Sequence, residues 1–163
     1  MLESLSKLVE DSAQQTIVQN KSIPDQFNNA AIKEVTNQIV NTLKGQVAQG
    51  NLQQVVSMFQ SGNRTIGSNP VVNNMITSVT GSLQSKFGIS AEVAQSVASN
   101  LVPQVISQVI KKANDPQDID FDIQQMMRTV SGNSSLDISG MMAQAPKGAI
   151  GSIGNVLGKL FGK

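Results

Sequence analysis

Apolar residues recur along this chain at intervals of three and four, and no segment alternates strictly between apolar and polar positions. The first pattern gathers apolar side chains on one side of a helix, whereas the second would mark a half-buried strand. The sequence therefore predicts an all-α fold. Leu2, Leu5, Leu8, Val9, Ala13 and Ile17 outline a first helix of about five turns. A turn at "NKSIPD" follows, with Pro24 as a natural early-helix residue. The second helix carries Phe27, Ala31, Val35, Ile39, Leu43 and Val47 and stops near Gly50. Leu52, Val55, Val56 and Phe59 give a short third helix, closed by the polar, turn-forming stretch "SGNRTIGSN".

Asn69 before Pro70 reads as an N-cap followed by proline at the first helical position. Val72, Met75, Ile76, Val79, Leu83 and Phe87 carry this fourth helix. In the corner "KFGIS", Gly88 suits the left-handed conformation that stops a helix, and Ser90 can cap the next. Glu92 then sits on the favourable side of the helix dipole.

The fifth segment is the most apolar. Val93, Val97, Leu101, Val105 and Val109 are spaced by four, and so are Ala94, Ala98, Val102, Ile106 and Ile110. With 3.6 residues per turn, rows spaced by four drift about 40° per step around a helix. Such a helix is either buried on several sides or changes direction midway. Pro103 favours the second, because it offers no N–H to the Ser99 carbonyl and its ring crowds that turn. With Asn100 as a cap, Pro103 would fall in the first turn of a new helix. The expectation is a kinked or broken helix near residues 99–103. Beyond "NDPQDID", Phe121, Met126, Met127 and Val130 mark a short helix, and another follows around Leu136 to Met142. The predicted architecture is a compact orthogonal bundle of about seven to eight helices in residues 1–146, followed by a separate tail, 147–163.

Composition narrows the function classes. Hydrophobic residues make up 39% of the chain but aromatics only 3%, so Val, Ile, Leu, Met and Ala must build the core. Charged residues contribute 14%, well under the usual quarter, and Gln, Asn and Ser fill the polar surface. A net charge of +1 supplies no field for nucleic acid or anionic lipid and only a low barrier to self-association. There is no Cys, and the start "MLESLSKLVEDSAQQ" lacks the pattern of a secretory signal. A cytoplasmic address is expected.

Candidate chemistry is sparse. His, Cys and Tyr are all absent, which removes the commonest acid–base and nucleophilic groups. Ser4 and Lys7 have the Ser-x-x-Lys spacing of some acyl-transfer sites, but no partner motif follows. Asp118, Asp120 and Asp122 resemble the start of an EF-hand loop. That loop needs Gly at its sixth position and Glu at its twelfth, where Ile123 and Thr129 stand. Acidic residues around a helix N-terminus are the simpler reading. The helix after "SKFGIS" has no Lys before Lys111, so a plain corner between helices is favoured over a DNA reader. No catalytic residue, metal site, cofactor or small-molecule substrate is indicated, and a non-enzymatic protein is expected.

The tail is the most unusual stretch. On a helical projection Ile150, Ile153, Val156, Leu157, Leu160 and Phe161 share one face. Gly151, Gly154, Gly158 and Gly162 line the other, with Lys147, Lys159 and Lys163 nearby and no acid. Gly154, Gly158 and Gly162 stand at intervals of four, a spacing that permits close helix–helix approach. Glycine costs up to about 1 kcal/mol per helical position against Ala, so an ordered tail needs stabilisation from outside itself. The tail is the candidate interaction segment. Docking on protein, within or between subunits, is the leading use, with a membrane surface as the alternative and a disordered tail as the third reading.

The stretch "KFGISAEVAQSVASNLVPQVISQVIKKANDP" resembles the YidB-like bacterial proteins, a family of unknown function. The parallel lies in a Gly-Ile/Leu-Ser corner, a small-residue helix and a Leu-Val/Ile-Pro step into an apolar helix. "NPVVNNMITSVTGSLQ" upstream, "FDIQQMM" downstream and the Gly-rich apolar end are similar too, so the likeness spans about residues 45–132 and loosely the tail. It implies a helical, cytoplasmic bacterial protein without an assigned activity. A partial likeness of that family to the homeodomain keeps nucleic-acid binding as a minor alternative, against which the near-neutral charge and the lack of an arginine-bearing face weigh. The resemblance supplies no catalytic or binding residues. A self-associating, non-enzymatic helical module, homo-oligomeric or with a protein partner, is the expected function.

Overall fold

A computed structural model describes residues 2–143. These contain seven α-helices and no strand: α1 (Leu2–Ala13), α2 (Asn28–Ala48), α3 (Leu52–Gln60), α4 (Pro70–Phe87), α5 (Ala91–Ala113), α6 (Ile123–Ser131) and α7 (Ser139–Ala143). The start and stop signals act as their chemistry requires. The Asn69 side chain accepts the Val71 N–H at 2.8 Å, which places Pro70 first in α4. Gly88 ends α4 at φ 63°, and the Ser90 hydroxyl accepts the Val93 N–H at the start of α5. Asp122 caps α6 by accepting the Gln125 N–H at 2.8 Å.

The four longer helices close a ring. α1 packs on α2, α2 on α4, α4 on α5 and α5 on α1, while α6 lies against α2. One continuous apolar cluster fills the centre, built mainly from Val, Ile, Leu, Met and Ala, with Phe59 and Phe121 as its buried aromatic side chains.

Two segments depart from the sequence reading. After Ala13 the first helix widens into a π-helical stretch, Gln14–Val18, in which Gln19 N–H donates to Gln14 O at 2.9 Å. Val9, Ala13 and Ile17 are spaced by four and would drift around an ordinary helix, whereas the wider turn keeps Ile17 fully buried. The stretch expected as a polar loop is instead wound as a 3-10 helix, Gly62–Ser68. Ile66 within it is buried, so one apolar side chain draws the segment onto the body.

α5 does not break. It runs unbroken from Ala91 to Ala113 with Pro103 inside it, and Asn100 caps nothing: its side-chain amide donates back to Ser96 O at 2.8 Å. Both rows of apolar residues are accommodated because α5 is covered on several sides. α4, α1, the Gln14–Val18 turn and the Gly62–Ser68 segment all pack on it. Ala94, Val97, Ala98, Leu101, Val102, Val105, Ile106, Val109 and Ile110 are all buried. The carbonyl left without a donor by Pro103 belongs to Ser99, an exposed residue, so water can satisfy it.

Candidate interaction surface

Between residues 45 and 110 the chain carries only three charged residues, Arg64, Lys86 and Glu92. The fold turns that run into a surface. Asn73, Asn74, Thr77 and Ser85 are exposed on α4, and Gln95, Ser96, Ser99, Asn100, Gln104 and Gln108 on α5. Since α4 and α5 pack directly on each other, the exterior of this pair is made of amides and hydroxyls, with charge only near its ends. Such groups hydrogen-bond without the desolvation cost of a charge, and interface cores are depleted in charged residues for that reason.

Two open grooves flank the surface. One, of about 450 Å³, runs between α2 and α4 and is lined by Gln38, Asn41, Thr42, Gly45, Gln46 and Gln49 from α2 and Asn74, Thr77 and Ser78 from α4. The second, also about 450 Å³, lies beside Pro103 and is lined by Ile66, Gly67, Gln104, Ser107 and Gln108. At its edge Gln108 Nε2 donates to Ser12 Oγ at 3.1 Å, tying α5 to α1. Neither groove is lined by a group that titrates near neutral pH, so both offer hydrogen bonds rather than proton transfer.

Below the α2–α4 groove a single ion pair fixes the two helices. Lys86 Nζ lies 2.6 Å from Glu34 Oε2, and Gln38 Nε2 donates to Glu34 Oε1 at 2.7 Å. Burial alone would push the Glu34 carboxyl up. Hydrogen bonds from Lys86, Gln38 and Ser82, with the Lys86 charge, outweigh it and hold the group below its ordinary value.

The candidate chemical groups fall into structural roles. Ser4 Oγ donates to Asp120 Oδ2 at 3.4 Å rather than meeting Lys7. Asp122 is the α6 cap, in line with a helix-start reading, whereas Asp118 pairs with Lys112 at 3.0 Å. Among the described residues no group of three or more His, Cys, Asp or Glu side chains is placed to hold a metal ion. Nor is any helix among them long and apolar enough to cross a membrane. The candidate tail, Ile150, Ile153, Gly154, Val156, Leu157, Gly158, Leu160, Phe161 and Gly162, lies outside the described residues. The uncharged α4–α5 exterior escapes a motif search, because its signal is the sparseness of charge over residues 45–110 rather than any residue pattern. Comparison with known proteins gave no match to a family model, to a curated protein or to a solved structure.

Proposed function

We propose that this chain is a non-enzymatic, cytoplasmic helical module of the YidB-like kind that associates with copies of itself. The observation that carries the reading is the uncharged exterior of α4 and α5, where amide and hydroxyl side chains replace the charges that keep most protein surfaces apart. A net charge of +1 adds little repulsion between copies. The grooves agree with a binding rather than a catalytic role, since Gln, Asn, Ser and Thr at neutral pH neither donate nor accept a full proton.

Light scattering on the full chain over a range of concentrations tests this. The expected mass rises above the 17.3 kDa of one chain as concentration increases. Gln104→Glu, which places a charge on the exposed side of α5, is expected to shift that rise to higher concentration while leaving helical content unchanged. A mass that stays at one chain throughout, or association insensitive to charge on α4 and α5, overturns the reading.

A further inference from the structure

Pro103 removes a hydrogen bond from the interior of α5, yet the helix runs on through it from Ala91 to Ala113. What the ring does occupy is the wall of a groove. It stands with Ile66 and Gly67 of the 3-10 segment and Gln104, Ser107 and Gln108 of α5 around a space of about 450 Å³. That volume falls in the range of small binding sites, about 300–1,000 Å³.

The lining divides into an apolar floor and a hydrogen-bonding rim. Ile66 is buried and Pro103 half-buried, whereas Gln104 and Gln108 are exposed. Gly67 has no positive φ, and a Cβ at that position would meet nothing of the fold within 4 Å. Neither backbone conformation nor packing requires glycine there, and its effect is to leave that side of the groove open. The polarity of the rim is set by the fold. Gln108 Nε2 donates to Ser12 Oγ, so its Oε1 remains as an acceptor. The Gln104 amide makes no hydrogen bond among the described residues, so its C=O and its NH₂ are both available. No acid or base lines the groove, so a charged occupant would lose water without gaining a counter-ion.

We infer that this groove binds an uncharged peptide segment of a partner protein. One aliphatic side chain of the segment rests on Ile66 and Pro103, and its peptide groups bond to the Gln104 and Gln108 amides. A peptide unit offers both an N–H and a C=O, the complement of the C=O and NH₂ that Gln104 presents together. The apolar area, one Ile and one Pro, suits a single aliphatic side chain. Such binding is independent of self-association, because the occupant is a different chain.

Titrating the isotopically labelled full chain with the blocked peptide acetyl-Gly-Val-Gly-amide reads the contact by nuclear magnetic resonance. The expected result is saturable movement of the Gly67 and Ser107 backbone N–H signals and of the Gln104 side-chain amide, with a Kd in about the millimolar range. Acetyl-Gly-Gly-Gly-amide, which lacks the aliphatic group, should bind about tenfold more weakly. Gln104→Leu, at an exposed side chain, should weaken binding of the valine peptide about fivefold. Pro103→Ala separates binding from stability: affinity should fall several-fold while the melting temperature rises, opposite signs that a purely structural proline would not give. No saturable movement at Gly67, Ser107 and Gln104 overturns the proposal. So does equal affinity for the two peptides, or unchanged affinity in Gln104→Leu and Pro103→Ala. Movement of the same signals on diluting the chain alone would assign the groove to a second copy, and overturns it as well.

Discussion

Lys86 and Glu34 form an unequal pair: the Glu34 side chain is 8% exposed and that of Lys86 57%. The carboxylate sits in the second turn of α2 and the ammonium in the last turn of α4, so the bond closes the α2–α4 side of the helical ring. Lys86 also lies where a cation is favoured, at the negative end of the α4 dipole.

Removing the cation while keeping its stem therefore strands a nearly buried carboxylate. Lys86→Met is expected to destabilise the fold by about 1–3 kcal/mol, the cost of an unpaired buried polar group moderated by the water that reaches this edge. Glu34→Gln, which keeps hydrogen-bonding capacity without the charge, should cost less. Urea unfolding of the two variants decides: equal, negligible losses would make the pair an ordinary surface bridge.

The same pair predicts an acid limb. Glu34 is held below its ordinary value of 4.5 in the folded state, so its ionisation stabilises the fold above that value. The contribution is lost as pH falls below about 4.5 and through the depressed folded value. Thermal unfolding between neutral pH and pH about 3 should show wild-type stability falling more steeply than that of Glu34→Gln. Parallel curves would remove Glu34 from the account.

Asn69, Gly88 and Ser90 were legible because each acts within its own turn of chain, where a cap or a left-handed residue has a fixed meaning. Spacing likewise placed Val97, Leu101, Val105 and their neighbours in the core. At Pro103 the break did not form, since its local cost is real but the outcome depends on what surrounds it. Packing neighbours on several sides hold α5 together, and Ser99 is exposed. The π turn at Gln14–Val18 was hidden for a similar reason, as Ile17 is drawn inward by helices distant in sequence. Of the candidate surface, the charge-poor run could be read from the chain, whereas the joining of α4 to α5 and of Ser4 to Asp120 needed the fold.

An unbroken helix around Pro103 implies that the proline is tolerated rather than required. Pro103→Ala restores an N–H for the Ser99 carbonyl and removes a helix-interior penalty of about 3 kcal/mol. The more flexible unfolded chain returns up to about 1 kcal/mol of that, and the ring's packing beside Ile66 returns more. A net stabilisation of about 1 kcal/mol is expected, seen as a higher melting temperature with unchanged helical content. A lower melting temperature would show that α5 depends on the ring.

Gln124 governs how the last described segment is held. Its amide donates to Leu136 O and accepts the Ile138 N–H at 3.0 Å, gripping both faces of one short stretch, and Arg128 Nε donates to the same Leu136 O at 2.9 Å. Ile138 is fully buried, so this stretch fastens α7 to the body. Gln124→Ala removes two bonds at once; Leu136 O keeps Arg128 but the Ile138 N–H loses its acceptor, which should cost about 1–3 kcal/mol locally. Because the four-helix ring does not rest on Gln124, the effect should be local opening rather than global unfolding. Amide exchange of Ile138 and Met142 is expected to quicken while that of Val102 and Met75 stays slow. Uniform quickening across α4 and α5 would instead make Gln124 part of the global fold.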